Sequence, residues 1–133
     1  SAAVLQNLAR ISRENNLVVI SDDVYDRLIF GENKISHISN FYPEKTIIVN
    51  SISKTFCLTG ARIGWILGEK NLISQITKVH RNMNSCPNSL MQKALAKYLP
   101  VSQDFLENMR QEFENRGQKM AKIFNDLGWK CAS

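Results

Sequence analysis

Thr46-Ile-Ile-Val-Asn-Ser-Ile-Ser-Lys-Thr-Phe-Cys-Leu-Thr-Gly-Ala-Arg62 is the stretch on which the reading of this chain turns. Its opening, Thr46 to Asn50, is short, β-branched and apolar, which suits a strand buried on both faces of a helix-covered parallel sheet. Directly after it come hydroxyls at Ser51 and Ser53, an amine at Lys54, a turn containing Gly60 and a guanidinium at Arg62. An amine so placed can condense with a carbonyl, while Ser51 and Arg62 can hold an anion carried by the same molecule. The bland alternative is a solvated surface lysine. The apolar strand before Lys54 and the hydroxyls around it favour a site.

A second motif lies upstream. Leu17-Val-Val-Ile-Ser-Asp-Asp-Val-Tyr25 is an apolar run, Leu17 to Ser21, that ends in a carboxylate at Asp22, with a tyrosine three residues on. Ala61 to Leu67, bounded by Gly60 and Gly68, is a third strand candidate. Asp22 and Ser51 therefore fall just past strand ends, where open α/β sheets bind their ligands.

The two motifs together resemble fold-type-I pyridoxal-phosphate enzymes, in the branch of class I and II aminotransferases. That pattern is Ser, any residue, Ser or Gly, Lys, then a Gly-bearing turn and an Arg eight positions after the lysine; Ser51, Ser53, Lys54, Gly60 and Arg62 fill it without a gap. The resemblance implies an α/β fold: part of a large pyridoxal-phosphate-binding domain, mainly parallel sheet covered by helices, followed by the first long helix of a small domain. It implies that Lys54 is the catalytic residue, forming an imine with pyridoxal 5′-phosphate. It further implies that Asp22 pairs with the pyridine nitrogen, that Tyr25 bonds the phenolic oxygen, and that Ser51 and Arg62 bind the phosphate. Ser53 either joins the cofactor site or only shapes the turn before Lys54. The family spacing Asp-x-x-Tyr selects Asp22 and leaves Asp23 as the more solvent-facing of the two. Partial burial and the charge of Arg62 are expected to favour the neutral, nucleophilic form of Lys54.

The activity implied is transfer of an amino group between an amino acid and a 2-oxo acid; Asp22-Asp-Val-Tyr-Asp-Arg-Leu-Ile-Phe30 with Arg62-Ile-Gly-Trp-Ile-Leu-Gly68 looks most like the kynurenine, glutamine or aromatic branch, and alanine or aspartate relatives are similar here. Carbon–sulfur β-lyases and aminocyclopropane carboxylate synthases share the lysine and the aspartate. So does the aminotransferase-like sensor domain of some transcription regulators. The segment His80 to Ser89 resembles the region that approaches a neighbouring subunit's active site, which implies a homodimer.

Length and composition bound the rest. A complete enzyme of this kind is far longer than 133 residues, so an internal piece is expected. The phosphate loop, the aromatic stacked on the pyridine ring and the arginine gripping the substrate carboxylate are expected outside it. Residues 1–100 are assigned to the large domain and 101–133 to the start of the small one, with Pro100 at the boundary. The net charge is +5, but cations alternate with acids, as in Arg110-Gln-Glu-Phe-Glu-Asn-Arg116, so a mixed solvated surface is read rather than a nucleic-acid face. No segment approaches the ~20 apolar residues of a membrane span. Cys57, Cys86 and Cys131 show neither metal-ligand nor disulfide spacing, and reduced thiols suit the cytoplasm or the mitochondrial matrix. Cys57 is read as a small residue packed into the turn, and His37 and His80 as structural or exposed.

Helices fill the remainder. Leu5, Leu8 and Ile11 mark a first helix from about Ala3 to Glu14. Leu72, Ile73, Ile76 and Val79 mark a second, interrupted by Ser85-Cys-Pro-Asn-Ser89 and renewed through Leu90, Ala94, Leu95 and Tyr98. Phe105, Met109, Phe113, Met120, Phe124 and Leu127 mark a long last helix stopped by Gly128.

Overall fold

A computed structural model describes residues 1–31, 33–99 and 103–131; the boundary expected at Pro100 lies outside the described residues. Three strands form one sheet in the order β1 (Val19–Asp22), β2 (Thr46–Ser51), β3 (Gly64–Leu67). β1 and β2 run parallel, with Val19 opposite Thr46 and Asp22 opposite Val49. β3 returns antiparallel, with Asn50 opposite Trp65 and Ser51 opposite Gly64. The fold is α/β as expected.

Each face of the sheet meets a helix. α1 (Ala2–Glu14) packs Ala9 against Ile38 and Tyr42, all three buried, with Leu5, Val19 and Phe41 around them. The buried stripe of α1 is thus Leu5, Ala9 and Ser12, not the Leu5, Leu8 and Ile11 expected. Leu8 and Ile11 stay exposed, because the small Ala9 and Ser12 let the helix come close to Tyr42, whose hydroxyl donates to Leu17 O at 2.9 Å. α3 (Lys70–Asn84) lies on the other face, with Ile73 over Gly68 and Ile76 near Val49 and Ile66. Its first turn is capped by the Glu69 carboxylate, which accepts from the Asn71 and Leu72 N–H groups.

The expected burial of Leu17 to Ser21 on both faces is not what the structure has. Among the described residues β1 is the outer of the three strands, and Ile20 is 70% exposed. α4 (Ser89–Tyr98) begins at Asn88, whose side chain caps the Leu90 and Met91 N–H groups. α5 (Gln103–Asp126) ends as the glycine signal predicts. Gly128, at φ +83, donates to Asn125 O, and Trp129 donates to Phe124 O while its ring meets the Phe124 ring at 6.0 Å. This is the Schellman end with its apolar contact.

Candidate active site

β2 leaves the sheet in a single residue. Ser51 closes the strand and caps α2 (Ile52–Thr55), its Oγ accepting from the Ser53 N–H at 3.3 Å. Asn50 pins this exit from beneath: it is buried, and its side-chain oxygen accepts from the Ser51 N–H at 2.7 Å. Ile52 and Thr55 are buried on either side of Lys54. Ile52 donates its N–H to Ile63 O, and Thr55 Oγ1 donates to Val24 O at 3.4 Å. The one-turn helix is therefore fastened at both ends to the neighbouring strands' continuations.

Lys54 itself is exposed, which corrects the expectation of partial burial. Its neighbours in α2 point into the protein and it points away. Among the described residues no hydrogen bond or ion pair engages its amine. Cys57 is likewise exposed rather than packed: it takes a left-handed conformation at φ +53, and its Sγ meets Met109 Sδ at 3.5 Å.

Arg62 also sits in the left-handed region, φ 53 and ψ 43, at the end of the 3-10 turn Thr59–Ala61. One guanidinium nitrogen donates to Thr59 O at 3.2 Å. Arg10, Arg13, Arg110 and Arg116 each grip a glutamate, whereas Arg62 meets no carboxylate among the described residues. A cation left without an acid partner suits an anion from outside. Ser51, Ser53 and Arg62 line one cavity of about 530 Å³ on the α3 face of the sheet, with Thr77 and His80 opposite. The tight β2–β3 pairing that shapes its floor depends on Gly64, where a Cβ would stand 2.9 Å from Asn50 O.

Asp22 ends β1 beside Val49, two residues short of Ser51 on the adjacent strand. It is exposed, and among the described residues its Oδ1 accepts only the Val24 N–H at 3.3 Å. Tyr25 is 57% exposed with no hydrogen bond to its hydroxyl among the described residues. Asp22, Tyr25 and Lys54 thus occupy the same carboxyl edge of the sheet but do not line the cavity that gathers Ser51, Ser53 and Arg62. Asp23 reverses its expectation. Its side chain is 12% exposed, accepting from Ser21 Oγ at 2.6 Å and bonding His37 Nδ1 at 2.7 Å. The strand's alternation turns Asp23 inward where Asp22 turns out. No spacing in the sequence announces this pair, since 14 residues separate its members; nor does any motif announce Asn50 or Thr55.

These positions can be set beside those of known proteins. The family model for aminotransferase class I and II matches residues 1–133. The aspartate aminotransferase of Bacillus subtilis is 33% identical over 132 residues, which are 96% of this chain and 33% of that protein. A probable kynurenine–oxoglutarate transaminase of Saccharomyces cerevisiae is 34% identical over 93% of this chain and 29% of its own length. The solved N-succinyldiaminopimelate aminotransferase from Mycobacterium tuberculosis superposes with a TM-score of 0.92 at 29% identity, over 96% of this chain and 34% of that one. The aromatic aminotransferase from Pyrococcus horikoshii does so at 0.89 and 32% identity, over 96% and 35%. The chain spans about a third of the length of these relatives. With a match along its whole sequence, and with strands, turn and lysine in the family's order, the chain belongs to the class I and II aminotransferases.

Proposed function

We propose that the protein is a pyridoxal-phosphate-dependent aminotransferase, moving an amino group from an amino acid to a 2-oxo acid. The observation that carries this reading is a Lys54 amine engaged by nothing among the described residues, one helical turn past a cavity into which Ser51, Ser53 and an acid-free Arg62 open. The residues fit the group. A guanidinium and two hydroxyls suit a phosphate dianion, a free amine suits an aldehyde, and an exposed carboxylate at the β1 end suits a pyridinium nitrogen. When bound, the cofactor supplies the aldehyde and a ring able to accept electrons from the substrate α-carbon.

The chain's own residues do the rest. Ser51 and Arg62 anchor the phosphate, with Ser53 beside them. Asp22 holds a proton on the ring nitrogen, and Tyr25 donates its hydroxyl proton toward the phenolic oxygen. Lys54 would hold the cofactor by its aldehyde, and once a substrate amine had taken that place its Nζ could accept the proton from the substrate Cα and return it to the cofactor. With water supplying the oxygen of the departing 2-oxo acid, the same residues would serve a second 2-oxo acid in the reverse direction.

The relatives named above are transaminases, which favours amino transfer over the lyase and sensor readings. The kynurenine or aromatic branch is the substrate class we infer. A homodimer in the cytoplasm, with residues 1–100 in a large domain and 101–133 opening a small one, completes the proposal. No helix among the described residues is long and apolar enough to cross a membrane.

The test is chemical. The whole protein loaded with cofactor is reduced with borohydride, digested and mapped by mass spectrometry, with the pyridoxyl group expected on Lys54. Lys54→Ala is expected to lose the label and at least about 10³-fold in turnover, the size of a lost proton carrier. A label on any other lysine overturns the assignment.

A further inference from the structure

Asp22 is held only weakly through its own side chain. Among the described residues its exposed carboxylate has one long local hydrogen bond, so its placement depends on the backbone on either side. That backbone is held with unusual care. Ser21 and Asp23 flank Asp22, and the Ser21 hydroxyl donates to Asp23 Oδ1 at 2.6 Å, bridging the residue between them. The Asp23 N–H makes a further parallel rung to Val49 O at 2.9 Å, and the Asp23 carbonyl accepts from the Asp26 N–H at 3.1 Å. The second carboxylate oxygen meets His37 Nδ1 at 2.7 Å.

His37 is itself anchored. The next residue, Ile38, is 4% exposed and packs with Ala9 and Tyr42 in the core. An ionised carboxylate only accepts hydrogen bonds, so Nδ1 of His37 carries the proton whatever the charge on the ring. The chain of contacts thus runs from the hydrophobic core through His37 and Asp23 to the two peptide units that aim Asp22.

We propose that Asp23 and His37 are positioning residues: they hold the Asp22 carboxylate toward the pyridine nitrogen of the cofactor. This rests on the cofactor reading above. Neither side chain lines the cavity that gathers Ser51, Ser53 and Arg62; both lie at the wall of a separate cavity of about 420 Å³ shared with Ile48, Asn50 and Trp65.

The test compares binding of pyridoxal 5′-phosphate with binding of its analogue in which a ring C–H replaces the pyridine nitrogen, using the whole protein. The wild type is expected to prefer the natural cofactor, and Asp22→Ala to erase the preference. His37→Leu is expected to cut the preference about fivefold, roughly one hydrogen bond's worth of ordering. His37→Asn, whose amide nitrogen takes the place of Nδ1, is expected to restore it. Equal weakening of both ligands by His37→Leu, or no rescue by His37→Asn, overturns the proposal and leaves the pair a purely structural tie. An undiminished preference in Asp22→Ala instead sinks the assignment of Asp22, and the positioning role with it. Should His37→Leu fail to fold, Ser21→Ala removes the 2.6 Å bond on the other carboxylate oxygen; an unchanged preference there is equally fatal.

Discussion

Gly64 stands opposite Ser51 across the β2–β3 pair, and a methyl group there would lie 2.9 Å from Asn50 O and 3.4 Å from Ser51 Cβ. The first of these is backbone and has no rotamer through which to yield. Gly64→Ala is therefore expected to destabilise the fold by about 1–3 kcal/mol through overpacking, read as a lower urea midpoint, and to weaken cofactor binding because Ser51 must shift. Unaltered stability would show that the strands part without cost. The proposed site residues Ser51, Lys54, Arg62, Asp22 and Tyr25 are nominated by the sequence because such chemistry is carried by side-chain type at short, fixed spacing. Asp23 was misjudged for a local reason: spacing names which carboxylate matches a pattern, but only the partner at His37 says which one turns inward.

Among the elements, α5 is joined to the site by more than its sequence stripe suggests. Phe105 stacks on Phe56 at 6.4 Å, Arg110 reaches Ile29 O, and Glu114 accepts from the Gly31 N–H at 3.0 Å. The helix thereby touches both the segment after Asp22 and the turn after Lys54. Arg110 also grips Glu107, and this hydrogen bond holds the Glu107 carboxyl below the usual glutamate range while raising the Arg110 guanidinium above its own. A lowered folded value means that the contribution to stability is complete above the ordinary glutamate pKa of about 4.3 and is lost as pH falls through the folded value. Urea midpoints measured from pH 6 down to pH 3 are expected to show a shallow acid loss that Glu107→Gln reduces. An identical slope in the variant would remove Glu107 from the account. The effect is small because Glu107 is exposed. The existence and length of this helix were readable from periodicity and from Gly128; its docking partners, distant in sequence at Phe56, Ile29 and Gly31, were not.

The molecule as a whole exposes 10168 Å², against roughly 7100 Å² for a compact monomer of its 15.2 kDa mass. The excess is partly apolar: Leu17, Val18 and Ile20 along the β1 edge, Met83 and Leu90 at the ends of α3 and α4, and Met120, Leu127 and Trp129 toward the end of α5. Since the chain spans about a third of its relatives' length, such surface is what a larger enzyme would cover. These 133 residues alone are expected to bind an apolar dye strongly, to hold the cofactor weakly and to catalyse no transamination. Measured turnover by them would contradict the division of the site proposed above.

Sequence was enough for the family, the three strands, the order of the helices and the chemistry available at Ser51 to Arg62, because each rests on residues near one another in the chain. Folding in three dimensions settled which face of α1 is buried, that Lys54 stands free while Ile52 and Thr55 are buried, and that Asp23 rather than Asp22 is tied to the core. Those outcomes depend on which distant backbone comes within hydrogen-bonding or packing distance, and no local pattern encodes that.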